Sequence, residues 1–550
     1  MSQLASLLHA GFIRTVDHAL ALSLRHARET TPDLVQAAAA LASRALASGH
    51  SRLPLARLPE LFAEVDSERE PPELPPLDEW LDVLAASPWV HVPGANPASP
   101  DRVLVLEGDA VALRRYWDFE CRLAERLAQR GRALPPTLQL VTGGPGTGKT
   151  TTVARQLAAF VRARDAAGFT DAARILLAAP TGKAASRLSE SVRGSLAQQV
   201  ERGEMDAALA ARLPTAASTL HRLLGWQRGG RFRHDADNPL PADLVVVDEA
   251  SMVDLALMCR LVEAVPAEAT LVLVGDRHQL PSVDTGDVLA ALCEAGERPT
   301  SALHGRVEEL THNYRQSEDI DVVPLAAQVR AGAVEAVLRG LDEQRLRGVH
   351  WRHGSERALH ELVLAQALAA YRAVAARPDV ASALQAAREF RVLCAMREGP
   401  AGLEALNALI GQALDPLRRV DGWFQGRLVL VTENSYRQQL FNGDIGVAWP
   451  DEAGELRVWF EGDDGPRAWL PAALPAHEPA FALTVHKSQG SEFGRVLLVL
   501  PERGRVLTRE LLYTGLTRCR RELTLWAGED ALREAIGRRA ERWSGLAARV

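Results

Sequence analysis

One short segment limits what this chain can fold into more than any other. The run from Gly143 to Thr150, GGPGTGKT, matches the pattern G-x-x-x-x-G-K-[ST], with the apolar run LQLV before it and TTVARQLAAF, a plausible helix, after it. Glycines in such a loop let backbone N–H groups turn inward around phosphates, and the helix N-terminus adds its dipole. The chain's own residue frequencies give roughly 0.002 chance matches to the pattern. The segment therefore predicts a strand, a phosphate loop and a helix that bind a nucleoside triphosphate.

The end of this loop and an acidic pair further along carry the predicted chemistry. Lys149 is expected to reach the β- and γ-phosphates, and Thr150 to offer a hydroxyl to Mg²⁺. Asp248, after the apolar run LVVV, can hold Mg²⁺ as well, which leaves Glu249 to orient or deprotonate the attacking water. An acidic pair behind a strand is usually structural, but beside a phosphate loop it indicates ATP hydrolysis with Mg²⁺. The expected nucleotide contacts are Gly143, Gly144, Pro145, Gly146, Thr147, Gly148, Lys149, Thr150 and Thr151.

Apolar runs separated by helix-length segments indicate the architecture. LQLV, ARILLAAP, ADLVVVDEA and ATLVLVGD form one set, and EFRVLCAM, RLVLVTEN, GRVLLVL and ELTLWAG form a second set after about residue 350. Uniformly apolar runs of this kind are typical of buried parallel strands in an α/β fold. We predict a mainly helical domain at 1–105, a first α/β domain at 106–345 and a second at 346–550. Alternating strands and Asp-Gly and Asn-Gly turns predict a small β-barrel inserted at about 421–478.

Composition excludes several other classes of protein. The net charge of −7 argues against a uniformly basic nucleic-acid coat, and five scattered cysteines without a C-x-x-C pair indicate neither a disulfide framework nor a zinc site. The N-terminus lacks a signal-peptide layout and no apolar run suits a membrane helix, so we expect a soluble, cytoplasmic protein. Residues 1–100 hold 12 acidic and 7 basic side chains, which suits partner docking or a plain scaffold better than phosphate binding.

Lysine is rare in this chain. Of 63 cationic side chains only Lys149, Lys183 and Lys487 are lysine, and the rest are arginine. Lysine is a compact ammonium, whereas arginine is a broad planar fork, so the two are not interchangeable everywhere. The positions that keep lysine are therefore candidates for sites where only the small cation fits.

The phosphate loop and acidic pair would also fit a kinase or a GTPase, and further segments decide between them. The chain resembles superfamily 1 DNA helicases from about residue 105 to 530, and within them the RecD subunits of RecBCD (exonuclease V) complexes. The resemblance is carried by APTGKAASRL, STLHRLLG, VVVDEASMVD, VGDRHQLPSV, LTHNYRQ, LCAMREGP, LFNGDIG, TVHKSQGSEF and YTGLTRCR, in that order. It implies two tandem RecA-like P-loop NTPase domains, an SH3-like inserted barrel and an N-terminal domain that docks on a partner.

The resemblance also assigns roles to single residues. It implies that Gln279 senses the γ-phosphate, that Arg315 and Arg518 reach it as arginine fingers, and that Glu492 approaches the nucleotide. It implies single-strand DNA contacts for Thr181, Lys183, His221, Thr484 and His486. Thr181 and Thr484 are alternatively helix caps, Lys487 lies near either nucleotide or DNA, and Trp226 or Trp423 could stack on bases. The glutamine that reads adenine in this group has a poor counterpart here, since the helix upstream of the phosphate loop offers only Gln129.

The function implied by the resemblance is ATP-dependent unwinding of DNA with 5′→3′ translocation on single strands. The chain would act on single-stranded and duplex-end DNA with RecB-like and RecC-like partners in double-strand break repair and recombination. Two alternatives stay open: a stand-alone RecD-like helicase, and a regulatory ATPase or structural subunit that does not unwind. The short N-terminal segment has no G-h-G hairpin pattern, which favours the complex subunit. No metal-binding acidic cluster beyond Asp248 and Glu249 stands out, so we expect no nuclease centre.

Overall fold

The chain begins with helices packed against a small sheet. The structure is a computed structural model that describes residues 2–65, 69–97, 99–227, 229–313, 320–415, 422–435, 437–462 and 465–550. The elements of the first unit are α1 Gln3–His9, α2 Thr15–Ala27, α3 Asp33–Ala47, β1 Leu53–Pro54, α4 Leu58–Ala63, α5 Leu77–Ala85, β2 Val90–His91, β3 Leu104–Glu107 and β4 Ala110–Leu113. The sheet order is β1-β4-β3-β2. The predicted boundary at residue 105 falls inside β3. The sequence did not indicate this small sheet, because strands as short as β1 and β2 show no readable alternation of apolar and polar residues.

A parallel sheet of six strands follows, in the order β12-β5-β11-β10-β6-β7. Its strands and helices are α6 Arg114–Arg132, β5 Leu138–Gly143, α7 Lys149–Ala166, β6 Ile175–Ala179, α8 Gly182–Glu201, α9 Ala207–Ala210, β7 Ala217–Thr219, α10 Leu220–Leu223, β8 Trp226–Gln227, β9 Arg231–Phe232, β10 Leu244–Val247, α11 Leu255–Ala264, β11 Thr270–Gly275, α12 Val288–Glu297 and β12 Val307–Leu310. Helices cover both faces, so the central strands are apolar throughout. Since all strands are parallel, the loops after β5, β6, β10 and β11 meet at one edge.

The second parallel sheet has five strands in the order β13-β22-β21-β14-β20. The elements of this part are α13 Val322–Arg330, α14 Val334–Asp342, β13 Val349–Arg352, α15 Glu356–Ala375, α16 Val380–Ala387, β14 Phe390–Cys394, α17 Leu403–Leu414, β15 Leu428–Val431, β16 Ile445–Pro450, β17 Leu456–Phe460, β18 Arg467–Trp469, β19 His477–Pro479, β20 Ala482–Thr484, β21 Phe493–Val499, α18 Arg509–Leu516, β22 Cys519–Trp526, α19 Glu529–Gly537 and α20 Leu546–Arg549.

Strands β15 to β19 form a separate antiparallel sheet within the predicted insertion. Its order is β18-β17-β16-β15-β19, which puts β18 and β19 at opposite edges. Closure of this sheet into a small barrel therefore stays a prediction. Across the parts of the chain that the structure describes, no helix combines the length and the apolar character needed to span a membrane.

The last ten residues cross back over the beginning of the chain, and we call residues 541–550 the C-terminal strap. Trp543 belongs to the core of the N-terminal unit and stacks on His50, with ring centroids 3.9 Å apart. Leu546 and Val550 pack into a core of the first parallel sheet. The buried carboxylate of Glu120 accepts a hydrogen bond from the Gly545 amide at 3.0 Å. The strap thus joins the N-terminal unit to the first α/β unit.

Candidate active site

The phosphate loop joins the buried strand β5 to helix α7. Gly146 and Gly148 adopt left-handed backbone angles (φ 79° and 82°) that favour glycine and turn the loop around a central space. The ammonium of Lys149 points into that loop and donates to the carbonyl oxygens of Gly143 at 2.6 Å and Gly144 at 3.0 Å. The compact cation is therefore already held where phosphate oxygens would lie, and a broader guanidinium would not fit the same contacts.

The acidic pair follows β10 at the same edge of the sheet. Asp248 Oδ1 accepts a hydrogen bond from the Glu249 amide at 2.9 Å, and Glu249 adopts a left-handed φ of 51°. Burial and the neighbouring Glu249 raise the pKa of Asp248 to about 6, against the opposing charge of Lys149. The left-handed φ of Glu249 is unfavourable for a residue with a side chain, and such backbone strain is frequent at functional sites. Within the described ranges, no group of three or more His, Cys, Asp or Glu side chains is arranged to hold a metal ion.

Asp276, after β11, stands at the contact between the two parallel sheets. Its carboxylate is 1% exposed and accepts from Gln279 Nε2 at 3.3 Å and from the Tyr513 hydroxyl at 2.9 Å. Tyr513 lies on α18 in the second α/β unit, and burial beside Asp276 raises its pKa well above the ordinary value. Two more bonds cross the same contact: the Leu280 amide donates to Thr514 Oγ1 at 2.9 Å, and Gln489 Nε2 donates to the Leu280 carbonyl at 3.1 Å. The Asp276 carboxylate thus links Gln279 of the first sheet to Tyr513 of the second.

Arg518 approaches from the second sheet, at the end of α18. Its guanidinium is buried and donates to the carbonyl oxygens of Thr514 at 3.0 Å and Ser491 at 3.3 Å. These carbonyl oxygens accept hydrogen bonds from the guanidinium N–H groups but carry no negative charge that would neutralise it. The arginine therefore reaches the cleft as a charged group that can turn from backbone oxygens to phosphate oxygens.

One cleft of about 1870 Å³ gathers most of the predicted nucleotide residues. Its walls include Pro145, Gly146, Thr147, Gly148, Lys149, Thr150, Thr151, Asp248, Glu249, Gln279, Glu492 and Arg518. Gly143 and Gly144 form the start of the loop, and the prediction for Arg315 lies outside the described residues. In the described part of the chain, the buried atoms Gln279 Oε1 and Ser491 Oγ have no hydrogen-bond partner, which suits a polar ligand in this space. The roles assigned to these residues stay predictions.

Residues predicted to contact DNA are less concentrated. Lys183 and His221 line the same cleft, whereas Thr181, Thr484 and His486 do not. The hydroxyl of Thr181 accepts from the Ala184 amide at 3.2 Å and caps the long helix α8, as the alternative interpretation proposed. The hydroxyl of Thr484 accepts from the Lys487 amide at 3.2 Å and caps only a short turn. The Lys183 ammonium donates to the carbonyl of Gly443 at 3.1 Å, and its burial beside Arg187 lowers its pKa to about 7.

Several contacts in and around the cleft were not predicted from the sequence. Tyr513 lies in YTGLTRCR five residues before Arg518, and only the fold shows that it faces Asp276. Arg520 pairs with Glu492 at 2.7 Å, so Glu492 faces a cation of its own sheet. Gln129, the poor counterpart of the adenine-reading glutamine, is exposed on α6 and donates to Glu125 Oε1 at 3.4 Å. Nothing in the spacing of single motifs could have revealed these contacts.

The bond between Tyr513 and Asp276 gives a first testable prediction. We expect Tyr513→Phe to lower the free energy of unfolding by about 1–3 kcal/mol, because a buried carboxylate loses a donor. It should also reduce DNA-stimulated ATP hydrolysis, since Asp276 would hold Gln279 less firmly. Tyr371→Phe is the matched control: that buried hydroxyl donates to the Phe481 carbonyl at 2.5 Å within the second α/β unit. Urea unfolding and phosphate release measure both variants, and equal loss of ATPase activity in the two would contradict the prediction.

Comparison with known proteins identifies related families along most of the chain. Three family models match: the RecD N-terminal domain of the RecBCD enzyme at residues 9–111, an AAA domain at 126–285 and a UvrD-like helicase C-terminal domain at 479–526. The AAA model covers the phosphate loop and the acidic pair. The UvrD-like model covers the segments that hold Thr484 and Arg518. The matches thus follow the same order along the chain as the structural units.

Individual relatives agree with these family models. The RecBCD enzyme subunit RecD of Mycobacterium tuberculosis is 38% identical over 98% of this chain and 95% of its own length. The protein of the same name from Mycolicibacterium smegmatis is 39% identical over 94% and 93%. The ATP-dependent RecD2 DNA helicase of Deinococcus radiodurans is 35% identical over 74% of this chain and 49% of its own length.

Proposed function

Because this chain belongs to the RecD family of RecBCD enzyme subunits, we propose that it is an ATP-dependent DNA helicase acting within a RecBCD-type helicase–nuclease. The observation that carries the proposal is the convergence of Lys149, Asp248, Glu249 and Gln279 from one parallel sheet and Arg518 from another on a single cleft. A nucleotide bound there would contact both sheets, so its hydrolysis can change their relative position. Such a change is what a motor needs in order to step along a strand.

Each residue of the cleft has a distinct task in this proposal. The loop amides and Lys149 hold the phosphates of ATP, and the oxygens of Thr150 and Asp248 are ligands of the type that Mg²⁺ prefers. The metal would neutralise charge that develops on the phosphates. Glu249 orients the attacking water, Gln279 reports the state of the γ-phosphate, and Arg518 stabilises the transition state. Arg315 is proposed as a second finger and Glu492 as a neighbour of the nucleotide, both from the family resemblance.

The DNA contacts proposed for Thr181, Lys183, His221, Thr484 and His486 suit sugar–phosphate binding without sequence preference. A threonine hydroxyl that accepts a backbone amide still has its own proton to donate, so the capping bonds of Thr181 and Thr484 leave room for a phosphate contact. We propose translocation 5′→3′, on double-strand ends, in repair and recombination. The proposed domains are the N-terminal unit and two RecA-like domains, the second carrying the antiparallel sheet as an SH3-like barrel.

The N-terminal unit is proposed to dock on RecB-like or RecC-like partners. Support comes from the RecD N-terminal model at residues 9–111 and from the excess of acidic side chains, 12 against 7 basic, in residues 1–100. An acidic surface repels the phosphate backbone, so a protein partner fits this unit better than DNA. The match to RecD relatives over 98% of this chain favours the complex subunit over a stand-alone helicase.

Strand displacement on tailed duplexes tests the proposal. We expect the chain, with and without RecB-like and RecC-like partners, to unwind a duplex carrying a 5′ single-stranded tail and to leave one with a 3′ tail intact. Release of a fluorescent strand measures both substrates, and omission of ATP is the control. Preference for the 3′ tail would contradict the polarity. ATP hydrolysis without unwinding, even with partners present, would instead favour the regulatory ATPase.

A further inference from the structure

A small cluster of charges lies away from the nucleotide cleft, and we call Arg397, Glu404, Glu478 and Lys487 the Glu478 cluster. The Glu478 carboxylate is shared between two cations: Oε2 lies 2.9 Å from Arg397 Nη2, and Oε1 lies 3.4 Å from Lys487 Nζ. Arg397 also contacts Glu404 at 3.0 Å through Nε. Lys487 is not among the described residues that line the nucleotide cleft. One of the three lysines of the chain is thus engaged with a single carboxylate.

The two cations come from neighbouring strands of the second parallel sheet. Arg397 follows β14 and Lys487 follows β20, and these strands pair in parallel with Cys394 opposite Thr484. Their carboxyl ends meet at one edge, so the two side chains are brought together by the fold itself. The Lys487 amide donates to Thr484 Oγ1 at 3.2 Å, which places this ammonium next to a residue proposed to contact DNA.

Glu478 belongs to a different element, the edge strand β19 of the antiparallel sheet. Its side chain is 16% exposed, compared with 30% for Lys487 and 53% for Arg397. The hydrogen bond that Arg397 donates to the Glu478 carboxylate raises the pKa of Arg397 above its ordinary value. The Glu478 carboxylate is thus less exposed to solvent than the two cations that it binds, and the cations can turn outward.

From this geometry we infer that Arg397 and Lys487 bind one phosphate of single-stranded DNA, and that Glu478 is the internal placeholder that holds both cations until the strand arrives. The inference rests on the proposed function, since it requires a DNA-binding chain. A carboxylate and a phosphodiester both present two oxygens with shared negative charge, so the same pair of cations can serve either. A compact ammonium beside an arginine fork gives a phosphate one point contact and one forked contact.

Solvent screening limits what the two cations lose in this exchange. Water reaches Arg397 and Lys487, which are 53% and 30% exposed, and weakens their pairs with the less exposed Glu478. Phosphate binding by the strand releases condensed counterions, which favours the DNA-bound arrangement at low salt. The carboxylate compensates the repulsion between the two like charges in the free protein and competes with the strand, so it weakens binding at this position without abolishing it.

The test is Glu478→Gln in the full chain, with anisotropy of a fluorescent oligothymidylate as the readout over a range of salt. We expect about threefold to tenfold tighter binding at low salt, the size of effect given by two exposed charge pairs. The gain should shrink as salt screens the charges. Arg397→Gln combined with Glu478→Gln should lose the gain. Lys487→Gln alone should weaken binding and lower the magnitude of the salt slope by about 0.7, the loss of one single-strand phosphate contact.

Glu361→Gln is the matched control, because Glu361 forms an equally short exposed pair with Arg357, 2.9 Å, on helix α15. It should leave DNA affinity unchanged. Unchanged or weaker binding by Glu478→Gln would overturn the inference, and a lower melting temperature with no gain in affinity would identify a purely structural ion pair. If wild type binds and unwinds DNA while Glu478→Gln shows no gain, only this inference fails. A wild-type chain that binds no single strand rejects the proposed function and the inference with it.

Discussion

Replacing Lys149 with glutamine is expected to lower DNA-stimulated ATP hydrolysis by at least about 10²-fold, the size of loss seen when one fixed donor to a developing anion is removed. The ammonium is the cation that the loop itself holds in place, through the carbonyls of Gly143 and Gly144. Glutamine keeps a donor but loses the charge. Lys149→Arg should fail as well, because the guanidinium is too broad for the same contacts, and this would explain why an arginine-rich chain keeps lysine here.

Phosphate release in the presence of single-stranded DNA measures this prediction, with thermal unfolding as a check on folding. Arg162→Gln is the matched control, since it removes one cation from the exposed face of the same helix, α7. It should hydrolyse ATP at the wild-type rate. A Lys149→Gln variant that retains more than a few per cent of activity would reject the assignment of the phosphate loop.

Arg518→Ala is expected to reduce the rate of ATP hydrolysis by about 10³-fold or more, the range reported for arginine fingers, with much less effect on nucleotide binding. The physical reason is that the guanidinium stabilises charge that exists only in the transition state, so kcat should fall while KM changes little. Its present partners are the backbone carbonyls of Thr514 and Ser491 and the Thr517 hydroxyl, none of which carries a negative charge. Arg518→Lys should recover part of the rate, since it restores charge without the fork.

Single-turnover hydrolysis and binding of a fluorescent nucleotide separate the two effects. Arg520→Ala is a suitable comparison, because Arg520 lies two residues away, lines the same cleft and is paired with Glu492 at 2.7 Å. It should cost far less in rate. A parallel rise in KM and fall in kcat for Arg518→Ala would indicate a role in binding or folding instead of transition-state stabilisation.

Local patterns predicted the parts of the molecule that depend on local chemistry. The glycines around Lys149 and the apolar runs before Gly143 and Asp248 were sufficient to predict a phosphate loop and an acidic pair that follow parallel strands. Turn formation and strand burial depend on neighbouring residues, so a short stretch of sequence indicates them. The cleft itself needed the family resemblance, because Arg518 lies far along the chain from the residues it joins. Placing Gln279 in the same site depended on that resemblance too.

Contacts between distant segments could not be predicted. No property of Tyr513 indicates that its hydroxyl faces Asp276, and nothing in the sequence pairs Arg397 with Glu478 on the edge of another sheet. Such contacts depend on how whole elements are stacked, which single motifs do not encode. The small N-terminal sheet was missed for a related reason: strands of two residues, such as Leu53–Pro54, gain their stability from pairing partners instead of from their own pattern.

The C-terminal strap has a consequence for how this protein is made. Trp543 completes the core of the N-terminal unit, and Leu546 and Val550 complete a core of the first parallel sheet. Nascent chains emerge at about 5–20 residues per second and usually fold domain by domain from the N-terminus. Here neither unit can complete its core before residues 541–550 have been synthesised, although most of each unit is made much earlier. Folding of the two units is therefore coupled through one late segment, and a variant that lacks the strap leaves both cores incomplete.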